Sequence, residues 1–180
     1  LQLSVGELAA VAKPGFGAIR VPVSHGGSGA TLIELFELFV GLATADSNIA
    51  QALRAHFAFV EDRLVAEPGA GRDAWFARFV AGELVGNSWT EVGAVKVGDV
   101  HTKVTPDGNS GFRIIGTKYC STGSVFADWL DAYAGRSDTG KRVIAAVKRH
   151  HDGVELADDW DGFGQRTTGT GTSTFTDAVV

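Results

Sequence analysis

Apolar residues recur at helical spacing through the first half of the chain and in short stretches broken by Gly, Asp, Asn and Ser through the second, with the change near Gly82. Thr31 and Glu34 form a capping-box pair, and Leu32, Leu35, Phe36, Phe39 and Leu42 then repeat every three or four residues, which predicts a helix over 31–43. Asp46 or Ser47 starts another, with Ile49, Leu53, Phe57, Val60 and Leu64 on its apolar face and Pro68-Gly69 as its stop. Asp73 is placed to cap a third helix that carries Trp75, Phe76, Phe79 and Val80, and a short helix is expected over 3–12. After Gly82 the stretches 100–104 and 112–118, joined by Pro106-Asp107-Gly108-Asn109, predict a hairpin, and 126–134 with 142–148 predict a second. Helices followed by strands, without alternation, indicate an α+β fold: an N-terminal all-α helical domain over 1–81 and an antiparallel sheet domain over 82–180.

Composition narrows the classes of function. With 180 residues, 44% of them hydrophobic, the chain buries one sizeable core or two small ones. A net charge of −5, with no run of five like charges, argues against nucleic acid as a partner. Cys120 is the single cysteine, so no intramolecular disulfide forms, and no apolar stretch approaches the ~18 residues that cross a bilayer. No membrane partner and a cytoplasmic location follow as expectations. Methionine is absent even from position 1, so the natural start is expected to lie before Leu1.

Several features invite chemistry and also have ordinary readings. The run Ser24-His25-Gly26-Gly27-Ser28-Gly29 precedes a helix as a phosphate loop would, but it lacks the Gly-Lys-Ser/Thr ending and follows no strand, so it reads as a flexible connection. His150 and His151 read as a turn surface, His101 as a solvent-facing strand residue, and Cys120 as a small buried filler without a base partner. His56 is either a core-edge histidine or a cavity residue. No metal-ligand set emerges. Three stretches mix polar and aromatic residues: Gly86-Asn87-Ser88-Trp89-Thr90-Glu91, then Gly116-Thr117-Lys118-Tyr119-Cys120-Ser121-Thr122-Gly123, then 159–170. They are either ordinary turns or the lining of a flat, amphipathic ring, which needs hydroxyls and amides at its edge and aromatic faces on its plane.

The order of motifs resembles the acyl-CoA dehydrogenase superfamily of flavoproteins. Pro22-Val23-Ser24-His25-Gly26-Gly27-Ser28-Gly29 is similar to its Pro-x-x-x-Gly-Gly-x-Gly stretch, and Thr90-Glu91 to the Thr-Glu of its first flavin segment. Gly116-x-Lys118-x-Cys120-Ser121-Thr122, continuing to Ala127-Asp128, matches Gly-x-Lys-x-Trp-Ile-Thr-Asn followed by Ala-Asp, and Gly164-x-Arg166 with Thr168, Thr170 and Phe175-x-Asp177 resembles the strand that leaves the β domain. The departures point to one branch. Asn87 stands where dehydrogenases place an aromatic, Cys120 where they place Trp, and Val92-Gly93-Ala94 where they continue Thr-Glu with Pro and then Gly-Ser. With the stretch from Trp160 through Gln165-Arg166 to Thr172, these changes look most like the reduced-flavin monooxygenases, the dibenzothiophene monooxygenase and sulfur-acquisition type.

The resemblance implies a helical N-terminal domain, a β-barrel flavin-binding domain, and a C-terminal four-helix bundle, absent from this chain, that pairs subunits into a homotetramer. It implies a monooxygenase that takes reduced FMN from a separate flavin reductase, binds molecular oxygen and acts on a small apolar or sulfur-containing substrate. Asn87, Trp89 and Thr90 would face the flavin, Ser121 and Thr122 would hydrogen-bond it, and Trp160, Arg166 and Thr170 would close its side. Asn87, Ser121 and His56 are the candidate catalytic residues, and His56 and Phe57 would look into the substrate cavity. An FAD-dependent acyl-CoA dehydrogenase and a non-catalytic protein retaining the fold stay open beside this reading.

Overall fold

The computed structural model describes residues 15–93, 99–109 and 111–180, so the helix expected over 3–12 lies outside the described residues. Among the described residues, three α-helices form where helical spacing predicts them. The first, α1 (Leu32–Ala45), starts on Thr31, whose hydroxyl accepts from the Glu34 N–H while the Glu34 carboxylate accepts from the Thr31 N–H. Thr31→Ala removes the hydroxyl half of this box, while the backbone N–H at that position still reaches Glu34, and is expected to cost about 1 kcal/mol in a urea unfolding curve, where an unmoved midpoint would contradict the assignment. The second, α2 (Ser47–Leu64), starts on Asp46, whose carboxylate accepts from the Asn48 N–H.

The third helix, α3 (Ala70–Val80), starts one turn earlier than its sequence suggests. Gly69 occupies the cap position and Asp73 lies in the first turn, where its carboxylate faces the positive helix end and contacts Arg72 and His25. The glycine run before α1 is likewise no free connection. A short 3-10 turn, Val23–His25, bonds Gly27 and Gly29 back to Pro22 and Val21, and Arg20 fastens Ala30 and Glu61.

Seven strands follow among the described residues: β1 (Val85–Ser88), β2 (Lys103–Pro106), β3 (Phe112–Ser121), β4 (Trp129–Arg136), β5 (Arg142–Lys148), β6 (Val154–Leu156) and β7 (Gly171–Val179). The α+β class stands, and both expected hairpins form, β2–β3 and β4–β5. The sheet is nevertheless mixed. Both β1 and β2 run parallel to β4, β1 along residues 129–132 and β2 along 135–136. Long connections make this possible, because only a short turn forces its two strands to be antiparallel. A 3-10 turn, Ser124–Phe126, delays the start of β4 to Trp129.

Alternation along β4 and β5 assigns the two faces of the sheet. Leu130, Ala132, Ala134, Ala145 and Val147 join Val104, Ile114, Phe175 and Ala178 in one cluster, so side chains from strands across the sheet meet and the sheet curls over them into a half-barrel. On the opposite face Trp129, Ile144 and Ala146 pack with Phe59, Val60, Phe76 and Phe79 of α2 and α3. Helices and sheet therefore share a core. Only α1 departs from a simple amphipathic pattern: Leu35 is buried, while Phe36 is 61% exposed and Ile33 72%.

Candidate functional site

Three chain corners meet where the sheet abuts α2. At the end of β1 the Asn87 N–H donates to the Thr122 carbonyl, and the Ser88 and Ser121 hydroxyls lie 3.4 Å apart, both fully buried. The third corner enters β7: the Gly123 N–H donates to the Thr168 carbonyl, the Thr168 and Thr170 hydroxyls lie 2.6 Å apart, and Thr170 donates to Thr122 at 3.2 Å. Sequence chemistry permits this closeness at two glycines. A Cβ on Gly123, at φ 73°, would stand 2.4 Å from the Ala52 carbonyl of α2, and one on Gly86 would stand 2.8 Å from the Ser124 Cα. At the same junction the buried Ser124 hydroxyl has no hydrogen-bond partner among the described residues.

Cys120 is exposed rather than buried, because the register of β3 on β7 shifts between Lys118 and Ser121 and the bulge puts Cys120 at φ 53°. The bulge turns Ser121 and Thr122 inward together. Just beyond β1, Trp89 donates its indole N–H to the Asp131 carboxyl at 3.0 Å and stacks on Tyr133 at 5.4 Å, leaving the ring 42% exposed. Burial pushes the Asp131 pKa up to about 7, against the Trp89 bond, which lowers it. Glu91 anchors the corner to the sheet. It accepts from Lys118 Nζ at 2.7 Å, from the N–H groups of His101 and Thr102, and from the Thr102 hydroxyl. Burial acts to raise its pKa, but these bonds outweigh it and hold it at about 2.

Beside the corners, α1 and α2 enclose a groove of about 410 Å³ lined by Leu32, Leu35, Phe36, Phe39 and Phe57, with Arg54, Glu61 and, from the β part, Gln165 on its margin. Phe57 thus lines this groove. His56 does not. It is 1% exposed, its Nε2 donates to the Gly17 carbonyl at 2.8 Å, and its Nδ1 accepts from the Val85 N–H at 3.2 Å. That pairing fixes a neutral ring, and burial pulls its pKa down to about 4. We assign His56 a structural role, joining α2 to β1, in place of the catalytic and substrate roles expected of it.

Asn87, Ser121, Thr122 and Thr170 are therefore brought together, and Trp89 is adjacent along the strand. Thr90 is exposed, its carbonyl accepting from the Tyr119 N–H. Trp160 and Arg166 lie outside the cluster: the indole donates to the Gly164 carbonyl and the guanidinium bonds Asp161 and the Gly162 carbonyl, all within one exposed loop. His101 is exposed but lies before β2, and His150 and His151 form the expected turn surface after β5. The sequence reading missed Asp131, Gln165 and the Glu91–Lys118 pair. Lys118 carried a visible signal, since a lysine amid strand-forming residues needs a buried counter-charge; Asp131 and Gln165 carried none.

A half-buried amide at Asn87 and an exposed indole at Trp89, held on corners that the buried hydroxyls tie together beside an apolar groove, fit a flat heteroaromatic cofactor with polar edges. No family model matches the chain. Individual proteins do. The probable FMNH2-dependent monooxygenase SfnC of Pseudomonas putida is 31% identical over 176 residues, which are 94% of this chain and 42% of the relative. The dibenzothiophene monooxygenase of Mycolicibacterium goodii is 26% identical over 91% of this chain and 40% of its own. TdsC, a dibenzothiophene monooxygenase of Paenibacillus sp. A11-2 solved with FMN bound, aligns with a TM-score of 0.88 and 29% identity over 97% of this chain and 45% of its own; a further structure of it holds FMN and indole. The chain spans less than half the length of the relatives it matches. It is a homologue of the FMNH2-dependent monooxygenases, a family of acyl-CoA dehydrogenase-like proteins.

Proposed function

We propose that the intact protein is a monooxygenase that uses reduced FMN, delivered by a separate reductase, and molecular oxygen to oxidise a small apolar or sulfur-containing substrate. The observation that carries this reading is the convergence of the Asn87, Ser121-Thr122 and Thr168-Thr170 corners beside an apolar groove. Reduced flavin, when bound, supplies the electrons that activate oxygen. The chain's own part is positioning and exclusion of water. Asn87, half-buried and without a side-chain hydrogen bond among the described residues, would donate a hydrogen bond to the edge of the ring, and Trp89 would offer it a flat apolar face. Ser121, bonded to Ser88, and Thr122, bonded to Thr170, fix the backbone that would support that edge. Phe36, Phe39 and Phe57 give the substrate side an apolar lining, and exclusion of water there would favour transfer of oxygen over its release as hydrogen peroxide. Groups of this kind stabilise developing charge without an ionisable base.

Asn87→Ala tests the reading directly. Loss of one hydrogen bond to a charged partner is worth about 1.5–3 kcal/mol, so oxygenated product per flavin oxidised should fall by about tenfold or more while peroxide rises. Product yield and peroxide at wild-type levels would remove Asn87 from the site. An anaerobic titration separates the alternative dehydrogenase reading, for which an acyl-CoA would bleach bound FAD.

A further inference from the structure

We propose that the groove between α1 and α2 selects a substrate with an apolar, ring-sized body and an oxyanion head, and that Gln165 and Arg54 read that head. The proposal rests on the monooxygenase reading and names the substrate class of the same site. At about 410 Å³ the groove lies at the small end of ligand pockets, and Phe36, Phe39 and Phe57 give it aromatic walls. Its charged margin is unbalanced. Glu61 is neutralised by two hydrogen bonds from Arg20, at 2.6 and 2.9 Å, whereas Arg54 makes no hydrogen bond or ion pair among the described residues. The Gln165 side-chain amide is equally uncommitted. The groove therefore offers one unmatched positive charge, with amide donors from Gln165 and Gln51 and the Ser47 hydroxyl set among apolar walls, and charge complementarity favours an anionic oxygen group.

The backbone at Gln165 supports a role for the side chain. Gln165 sits at φ 47°, in the left-handed region where a residue bearing a Cβ is strained. Glycine would adopt this conformation freely, and Gly164 and Gly169 nearby do so. Gln165 is held there by its carbonyl, which accepts from the Thr168 hydroxyl at 3.0 Å, and the hydroxyl chain runs on through Thr170 and Thr122 to the Cys120 carbonyl. The margin of the groove and the flavin corner are thus one hydrogen-bonded unit.

The test uses the intact protein, with benzenesulfinate as the anionic probe and methyl phenyl sulfone as its neutral counterpart, measured by anaerobic equilibrium dialysis beside an FMN titration. The wild type should bind the sulfinate about tenfold more tightly than the sulfone. Arg54→Gln should abolish that preference by weakening the sulfinate alone. Gln165→Ala and Gln165→Gly should each weaken both probes about tenfold, the glycine variant without loss of thermal stability, an outcome that a purely structural role does not give. A wild type that binds neither probe or prefers the sulfone, or variants whose probe affinities match wild type, would overturn the proposal. Retained probe selectivity in a protein that binds no FMN would leave the groove assignment standing and sink the monooxygenase reading.

Discussion

Lys118→Met is expected to lower the folding free energy by about 3–5 kcal/mol, the scale for removing one partner of a buried ion pair. The Lys118 side chain is fully buried and its ammonium donates to Glu91 and to the Trp89 carbonyl, so methionine of similar length fills the space but leaves the Glu91 charge short of its cation. The double variant Lys118→Met, Glu91→Leu should recover part of the loss, because the unpaired charge is gone although the bonds from Thr102 and His101 to Glu91 are gone as well. The acid dependence has a definite sign. The folded pKa of Glu91, about 2, lies below its ordinary 4.5, so the stability it contributes is present above pH 4.5 and is lost as pH falls toward 2. The deficit of Lys118→Met should accordingly be full at neutral pH and shrink in acid. Guanidinium unfolding at a series of pH values measures it, and a deficit under about 1 kcal/mol at neutral pH would show that the pair does not anchor this corner.

Asp131→Asn should raise stability at alkaline pH and leave it unchanged in acid. The folded pKa of Asp131, about 7, lies above its ordinary 3.8. Stability tied to this group is therefore fully present below pH 3.8 and lost as pH rises through 7, because folding then holds a carboxylate in a site that accommodates it poorly. A displacement of about three pH units corresponds to about 4 kcal/mol at most. The cause is visible in the packing. Asp131 is 4% exposed, Oδ2 accepts from Trp89, and Oδ1 has no partner among the described residues. Asparagine keeps an acceptor for Trp89 without the charge. His56 acts in the opposite sense, since its pKa is lowered from 6.5 to about 4 and its contribution is lost as pH falls through that range. The difference between variant and wild type at each pH cancels His56 and isolates Asp131. A difference independent of pH between 4 and 9 would place the carboxylate in contact with water.

The helices were the most legible part of the molecule, because caps and three- to four-residue spacing are local signals. Thr31 with Glu34, and Asp46 before Ser47, mark both starts within one turn. Asp73 misled because an acidic residue is favourable both at a cap and in the first turn, and sequence does not separate the two positions. Of the residues that the resemblance named, the fold brings Asn87, Ser121, Thr122 and Thr170 together at converging corners and turns His56 into the core. A histidine beside Phe57 on a helix looks the same in sequence whether it turns to the groove or to the core; the Gly17 carbonyl and the Val85 N–H, 39 and 29 residues away, decide it.

From the sequence alone came the order of elements, three helices and then strands, and the polar and aromatic composition of the three corners, since each depends on neighbours within a few residues. Tertiary structure alone decided the parallel pairing of β1 and β2 with β4, the bulge that exposes Cys120, the partner of Lys118 and the arrival of Gln165 at a groove between two helices. The physical reason is range. Hydrogen bonds and buried charges are satisfied by whichever group the fold brings within about 3 Å, and for residues 27 to 46 positions apart in this chain no local pattern records which group that is.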